Sequence, residues 1–369
     1  MGRAGAKFGC AALAAAFGLL AALPSQAEPY IAVESGQKCV SCHTNPTGGG
    51  KRNVFGMSYA HANLAAKRLT DDAGGAGWDS DVNRWLGIGG DYRGGFRNTD
   101  IPGSGRERSD WATSKATAYL ELRAVPGLVT LYGDEQIEPG RSRNREAYLL
   151  LTPFEGKYTI KAGQFFLPFG LRLQDDASFV RQRSGINFDT PDDGVEIGIE
   201  LPRWSAQAAF SNGTAGAGSA PGKDQTSLSL AYVRPRWRVG SSLNFSDDPL
   251  GDRQMQAVFA GFRTGPVSWL AEIDFISDDL LAGGSNDAIA SLVEGNWRIR
   301  KGQNLKLSYE FLNPGDRISN DEQERYSLLW EYTPIPLLQA RAGFRVYNGI
   351  PGVATTNREE FFFEAHVFL

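Results

Sequence analysis

The sequence predicts an all-β protein: an antiparallel, membrane-spanning barrel of about sixteen strands, preceded by a small, partly helical module. Three observations carry this expectation. From Arg84 onward apolar residues recur with a period of two. The polar breaks between these runs alternate short and long. Beyond the N-terminal leader, no stretch approaches the roughly 18 uninterrupted apolar residues that a spanning helix needs. Composition agrees: 369 residues with 44 Gly, 11% aromatic and 22% charged side chains and a mean hydropathy of −0.31 are too polar for a helical membrane protein, yet rich in strand-forming aromatics. A formal net charge of −4 argues against a nucleic-acid partner, whose phosphates favour a concentrated basic surface.

The leader sets the compartment. Arg3 and Lys7 precede an apolar run from Phe8 to Leu23, and Ser25-Gln26-Ala27 places small residues where a signal peptidase cuts. Residues 1–27 are read as a signal peptide and Glu28 as the first mature residue. Cys10 leaves with the leader, so the mature chain keeps only Cys39 and Cys42, which excludes a structural disulfide framework.

Residues 28–70 form the small module. Its centre, Cys39-Val40-Ser41-Cys42-His43, is the pentapeptide that attaches c-type haem. Two sulfurs separated by two residues reach both vinyl groups of one porphyrin, and the next residue places an imidazole under the iron. Cys39 and Cys42 are therefore the covalent attachment residues of one haem c, and His43 is its proximal ligand. A zinc site would need four ligands and a thioredoxin-like pair a βαβ setting; neither is evident. The distal ligand stays open. His61 is the first choice and Met57 the second, since they lie four apart in Asn53–Leu69, whose composition suits a helix, and so share a face. His366 and a five-coordinate iron are the further alternatives. Thr47-Gly48-Gly49-Gly50-Lys51-Arg52 lacks the Walker spacing; its glycines let backbone approach the porphyrin edge, and Lys51 or Arg52 is expected to neutralise a propionate. The polar, glycine-rich stretch within residues 71–83 is a linker.

Residues 84–369 are read as the barrel. Leu228, Leu230 and Tyr232 alternate with Ser227, Ser229 and Ala231; Val267, Trp269, Ala271, Ile273 and Phe275 alternate with Ser268, Leu270, Glu272 and Asp274. Such a pattern suits a soluble sandwich or a membrane barrel, and connection lengths decide between them. Short turns are expected at Pro126-Gly127, Pro153 to Lys157, Pro202-Arg203, Pro235, Thr264 to Pro266, Lys301 to Gln303 and Thr333 to Pro336, with longer polar loops between. An even strand count places both termini on the periplasmic side. The last segment, Phe361 to Leu369, is similar to the terminal assembly strand of outer-membrane barrels. The longest connection, Gly170 to Asp193, mixes Arg172, Arg181 and Arg183 with Asp175, Asp176 and Asp189, and is expected to fold inward as a constriction. Asp100, Asp110, Asp134 and Glu135 are read as solvated loop charges without a role. Gly163 to Gly170 and Gly194 to Gly213 resemble porins of the phosphate-selective type.

A barrel of this size leaves a water-filled lumen unless something fills it, and the module has the size to plug that lumen or its periplasmic mouth. The combination resembles the cytochrome-porin fusion family of outer-membrane iron oxidases, whose motif has the form Ala-x-Pro-x-Phe-Ala-Arg-Gln-Thr-Gly-x-x-Cys-x-x-Cys-His. Ala27, Pro29, Ala32, Gly36, Cys39, Cys42 and His43 match it, Ser35 replaces Thr, and Ile31, Val33 and Glu34 depart. The resemblance implies a barrel set in outer-membrane lipid that passes electrons from an extracellular donor, Fe(II), to a periplasmic c-type cytochrome or other soluble carrier. The competing expectation is a porin for small anionic solutes in which the haem module is a plug or sensor. A third is catalysis at an open sixth position on the iron.

Overall fold

The computed structural model describes residues 28–67, 80–102, 106–140, 142–186, 190–213, 224–248, 251–280 and 284–369. The expected signal peptide and most of the linker lie outside them. Among the described residues sixteen strands follow one another. They are β1 Leu86–Ile101, β2 Arg106–Val125, β3 Val129–Glu138, β4 Arg143–Leu151, β5 Tyr158–Phe165, β6 Asp192–Glu200, β7 Trp204–Ser211 and β8 Gln225–Arg234, then β9 Trp237–Asp248, β10 Gly251–Thr264, β11 Val267–Leu280, β12 Ser285–Arg300, β13 Gln303–Asn313, β14 Gln323–Ile335, β15 Leu338–Asn348 and β16 Arg358–Phe368. Each pairs antiparallel with its neighbours in sequence. The sheet closes because β16 returns to β1, with Phe368 opposite Asp91 and Glu359 opposite Asp100.

The alternation sorts side chains in the reverse order of a soluble core. On β11, Ser268, Leu270, Glu272 and Asp274 point inward, with Asp274 0% exposed, while Phe275 on the outer face is 44% exposed. Likewise Glu310 of β13 is buried and Leu307 is 58% exposed. An apolar exterior around a charged interior is the order of a barrel in lipid, where closure also satisfies every strand edge. Aromatic rings gather beside the short turns: Trp204 and Trp237 flank Tyr232 at 4.7 and 5.5 Å, and Trp330 stacks on Tyr332 at 5.9 Å. This is the girdle expected where a barrel leaves the hydrocarbon layer.

The predicted short turns fall between β2 and β3, β4 and β5, and so on to β14 and β15. The last is displaced: β14 runs on to Ile335, so its turn is Pro336-Leu337 rather than starting at Thr333. Two further expectations are corrected at the opposite rim. Residues 249–250 alone separate β9 from β10, so the short-long alternation is not strict. Asp100, Asp110, Asp134 and Glu135 lie on β1, β2 and β3 rather than in loops, because the strands extend past the apolar belt. Asp134 points into the lumen, 3.5 Å from Arg145. The long connection between β5 and β6 does fold inward, carrying helix Phe179–Ser184, whose Phe179, Val180, Arg181 and Ser184 are buried; Asp189 lies outside the described residues.

Candidate functional site

The module is three short helices wound around the cysteine pair. α1, Pro29–Ser35, starts on a proline, whose missing N–H costs nothing at that position, and ends at Gly36 in the left-handed conformation. α2, Cys39–Cys42, is a single turn. After a loop whose Gly48, Gly49 and Gly50 all have positive φ, α3 runs from Val54 to Tyr59 and widens into a π-helical turn, Ala60–Leu64. Asn53 organises the centre: its Oδ1 accepts from the Gly56 N–H at 2.9 Å, capping α3, while its amide donates to the carbonyl oxygen of Ser41 at 3.2 Å. α3 is thereby stapled to the end of α2.

The module stands inside the barrel, at the rim of the short turns. Ala66 and Lys67 donate backbone hydrogen bonds to Thr333 and Pro334 beside the β14–β15 turn, at 2.8 and 3.0 Å. Lys38 pairs with Glu200 of β6 at 2.6 Å, Glu34 with Arg298 of β12 at 2.8 Å, and Glu28 with Lys306 of β13 at 2.9 Å. Asn45 donates to Glu146 of β4 at 3.0 Å and Tyr30 to Glu331 of β14 at 3.3 Å. Contacts on strands all round the wall require a module in the lumen rather than beside it.

Between the module and the inward-folded β5–β6 connection lies a cavity that opens to solvent. Cys39, Cys42 and His43 line one side; Phe166 to Arg172 line another, with Val233, Arg238 and Phe259 from the barrel wall. The two cysteines are free thiols, and burial raises both above the ordinary thiol pKa. Burial, with the charges of Arg52 and Arg172, lowers the His43 imidazole to about 3. The ring is therefore neutral and keeps a lone pair for a metal. Its ring lies beside the Gly50 and Lys51 backbone.

These residues fit a c-type haem. A side chain at Gly48 would come within 3.2 Å of the Cys39 sulfur, so the glycine keeps that sulfur's approach clear. Lys38, Arg52, Arg172, Arg181 and Arg238 line the cavity with Glu28. Lys38, Arg172 and Arg181 pair with Glu200, Glu146 and Glu272, carboxylates that do not line it, which leaves Arg52 and Arg238 as the groups best suited to the carboxylates of a porphyrin. Arg238 bonds the Gln37 carbonyl at 2.6 Å and holds its Nε buried without a partner. Among the described residues no group of three or more His, Cys, Asp and Glu is placed to hold a bare metal ion.

Other sequence-predicted residues stand elsewhere. Met57 is 1% exposed and His61 is half-buried with Nε2 unpaired, yet neither lines the cavity. His366 lines a separate, smaller hollow, with Nδ1 3.2 Å from Gln339 and Nε2 3.5 Å from Asp91. Of the two expected propionate partners only Arg52 reaches the cavity. Lys51 is a correction: its Nζ turns to Glu121 at 2.8 Å and Asp81 at 3.2 Å, because a buried ammonium needs carboxylates and the β2 wall supplies one. The apolar wall from Phe166 to Leu171, and Arg238, were not singled out as parts of a haem site. Their runs read as ordinary loop and strand, and only the closed barrel brings them to the cysteines.

No family model matches the chain, and no curated protein matches it. Solved structures do. An anion-selective porin from Comamonas acidovorans superposes with a TM-score of 0.64 at 9% identity, covering 77% of this chain and 99% of that one. OmpT of Vibrio cholerae lacking loop L8 gives 0.60 at 15% identity, covering 77% and 99%. OprB of Pseudomonas putida gives 0.59 at 11%, covering 78% and 94%. At these identities the likeness is one of fold: the chain has the closed barrel of outer-membrane porins.

Proposed function

We propose that the chain is an outer-membrane barrel carrying one c-type haem in its lumen, and that it passes electrons from an extracellular donor, Fe(II), to a periplasmic c-type cytochrome. The observation that supports this is the cavity, which gathers both thiols, a neutral imidazole, an apolar wall and the Arg52 and Arg238 side chains inside a membrane-spanning shell. The short-turn rim, where the module sits, faces the periplasm on this reading. When bound, such a haem supplies a one-electron Fe(III)/Fe(II) couple. Cys39 and Cys42 would hold it through thioether bonds to its two vinyl groups, and His43 through the lone pair of its imidazole. Arg52 and Arg238 would oppose its carboxylates, and Phe166 to Leu171 would limit water at the ring. Each cycle oxidises one Fe(II) to Fe(III) and reduces one periplasmic carrier by one electron.

A second reading, a porin for small anionic solutes with the module as plug or sensor, has the more direct support from the comparisons, since the similar folds are porins and one is anion-selective. Two measurements on the full-length protein, matured with c-type machinery, separate them. A haem that stays on the denatured chain and is reduced by Fe(II) supports electron transfer. A chain without covalent haem that conducts anions in a planar bilayer leaves the porin reading.

A further inference from the structure

We infer that His43 is the single protein ligand of a haem bound in this cavity, and that the sixth iron position is a site for a small exogenous ligand of the carbon monoxide class. The inference rests on the haem attachment proposed above. The chain has three His and three Met; besides His43 and Met1, the remaining four are all among the described residues, and none lines the cavity. His366 bonds Gln339 through Nδ1 and lines a separate hollow. Met255 is 3% exposed in a cluster with Leu167, Phe169 and Ile186, which do line the cavity while Met255 does not. Gly56, Tyr59 and Leu64 are the residues of the α3 segment that line the cavity, and Met57 and His61 are not among them.

Other donors are engaged too. The Lys38 ammonium is held by Glu200 and by the carbonyl oxygens of Leu201 and Trp204 at 2.6 and 3.0 Å. The Tyr59 hydroxyl is engaged by Ser35 of α1. The cavity wall beyond the module is instead Phe166, Leu167, Phe169 and Leu171, side chains without a metal-binding atom. An apolar distal wall with neighbouring guanidiniums, here Arg172 and Arg181, leaves the sixth position to a small molecule. The barrel, and not the module, therefore sets the distal chemistry.

The test uses the full-length protein with its haem. Expected are a high-spin spectrum in both oxidation states, a shift of the Soret band when carbon monoxide is added to the reduced protein, and unchanged spectra in His61→Ala and Met57→Ala. A low-spin spectrum that becomes high-spin in either variant overturns the inference alone, as does a reduced protein whose Soret band carbon monoxide leaves in place. A denatured chain without covalent haem overturns the attachment reading and this inference with it.

Discussion

An alanine at Gly56 would put its methyl 2.2 Å from the Cys42 carbonyl oxygen, and backbone stands on both sides of that contact. Within α3 alanine is intrinsically better than glycine by about 1 kcal/mol. Overpacking against unyielding backbone costs about 1–3 kcal/mol, so the clash wins. Gly56→Ala is expected to push α3 off the cysteine turn and to lower the haem-stained fraction of purified chain several-fold; an unchanged fraction rejects the close approach. Tyr132 gives a second, milder case. Its hydroxyl accepts from the Lys51 N–H at 2.9 Å from deep in the lumen wall, so Tyr132→Phe should lower module stability by about 0.5–1.5 kcal/mol in denaturant titration. The expectation at the cysteine pentapeptide rests on local spacing alone. The fate of Lys51 was not legible in the sequence, since its partner Glu121 stands on a strand that only barrel closure brings near.

For the elements, alternation exposed the strands, and proline and glycine marked the short turns, because both signals act within a few residues. The β5–β6 connection was legible as long and charged, but its path depends on distant partners. The Ser178 hydroxyl and Phe179 N–H donate to Glu310 of β13 at 2.8 and 2.7 Å, and Asp175 pairs with Arg325 and Arg345 at 2.9 Å each. Burial works against the charge of Asp175, but the two guanidiniums outweigh it and hold the carboxyl below its ordinary range. A carboxylate whose pKa is depressed by folding contributes stability that is complete above its unfolded value and is lost as pH falls through the folded one. Docking of this connection is therefore expected to persist from neutral pH to below about 3.9, the unperturbed aspartate value, and to fail only in stronger acid. In Asp175→Asn the acid dependence should vanish and amide exchange across Phe179–Ser184 should rise about tenfold at neutral pH, equivalent to ~1.4 kcal/mol. Exchange in the variant equal to that of the native chain would remove Asp175 from the latch.

The whole molecule combines a closed sixteen-stranded shell with a lumen that is occupied from both ends. Even strand number and turn pattern announced the closed barrel, and its diameter implied a water-filled interior unless something entered it. The structure places the module in that interior, tied to opposite walls by Glu28–Lys306, Glu34–Arg298, Lys38–Glu200 and Lys51–Glu121. The Lys51 side chain in the last pair is 0% exposed, so moderate salt screens it little, and breaking one partner leaves a charge stranded in the lumen. The intact protein should therefore conduct far less in a planar bilayer than an open barrel of the same strand number, and raising salt should not release the block beyond the rise in bulk conductivity. Glu28→Gln with Glu34→Gln removes two wall contacts while leaving Cys39, Cys42 and His43 untouched. Brief openings to a larger conductance are expected in this variant, with haem content unchanged. Full porin-like conductance in the unaltered protein would mean that the module leaves the lumen in the membrane, and the cavity between it and Phe166 to Leu171 would then lose its walls.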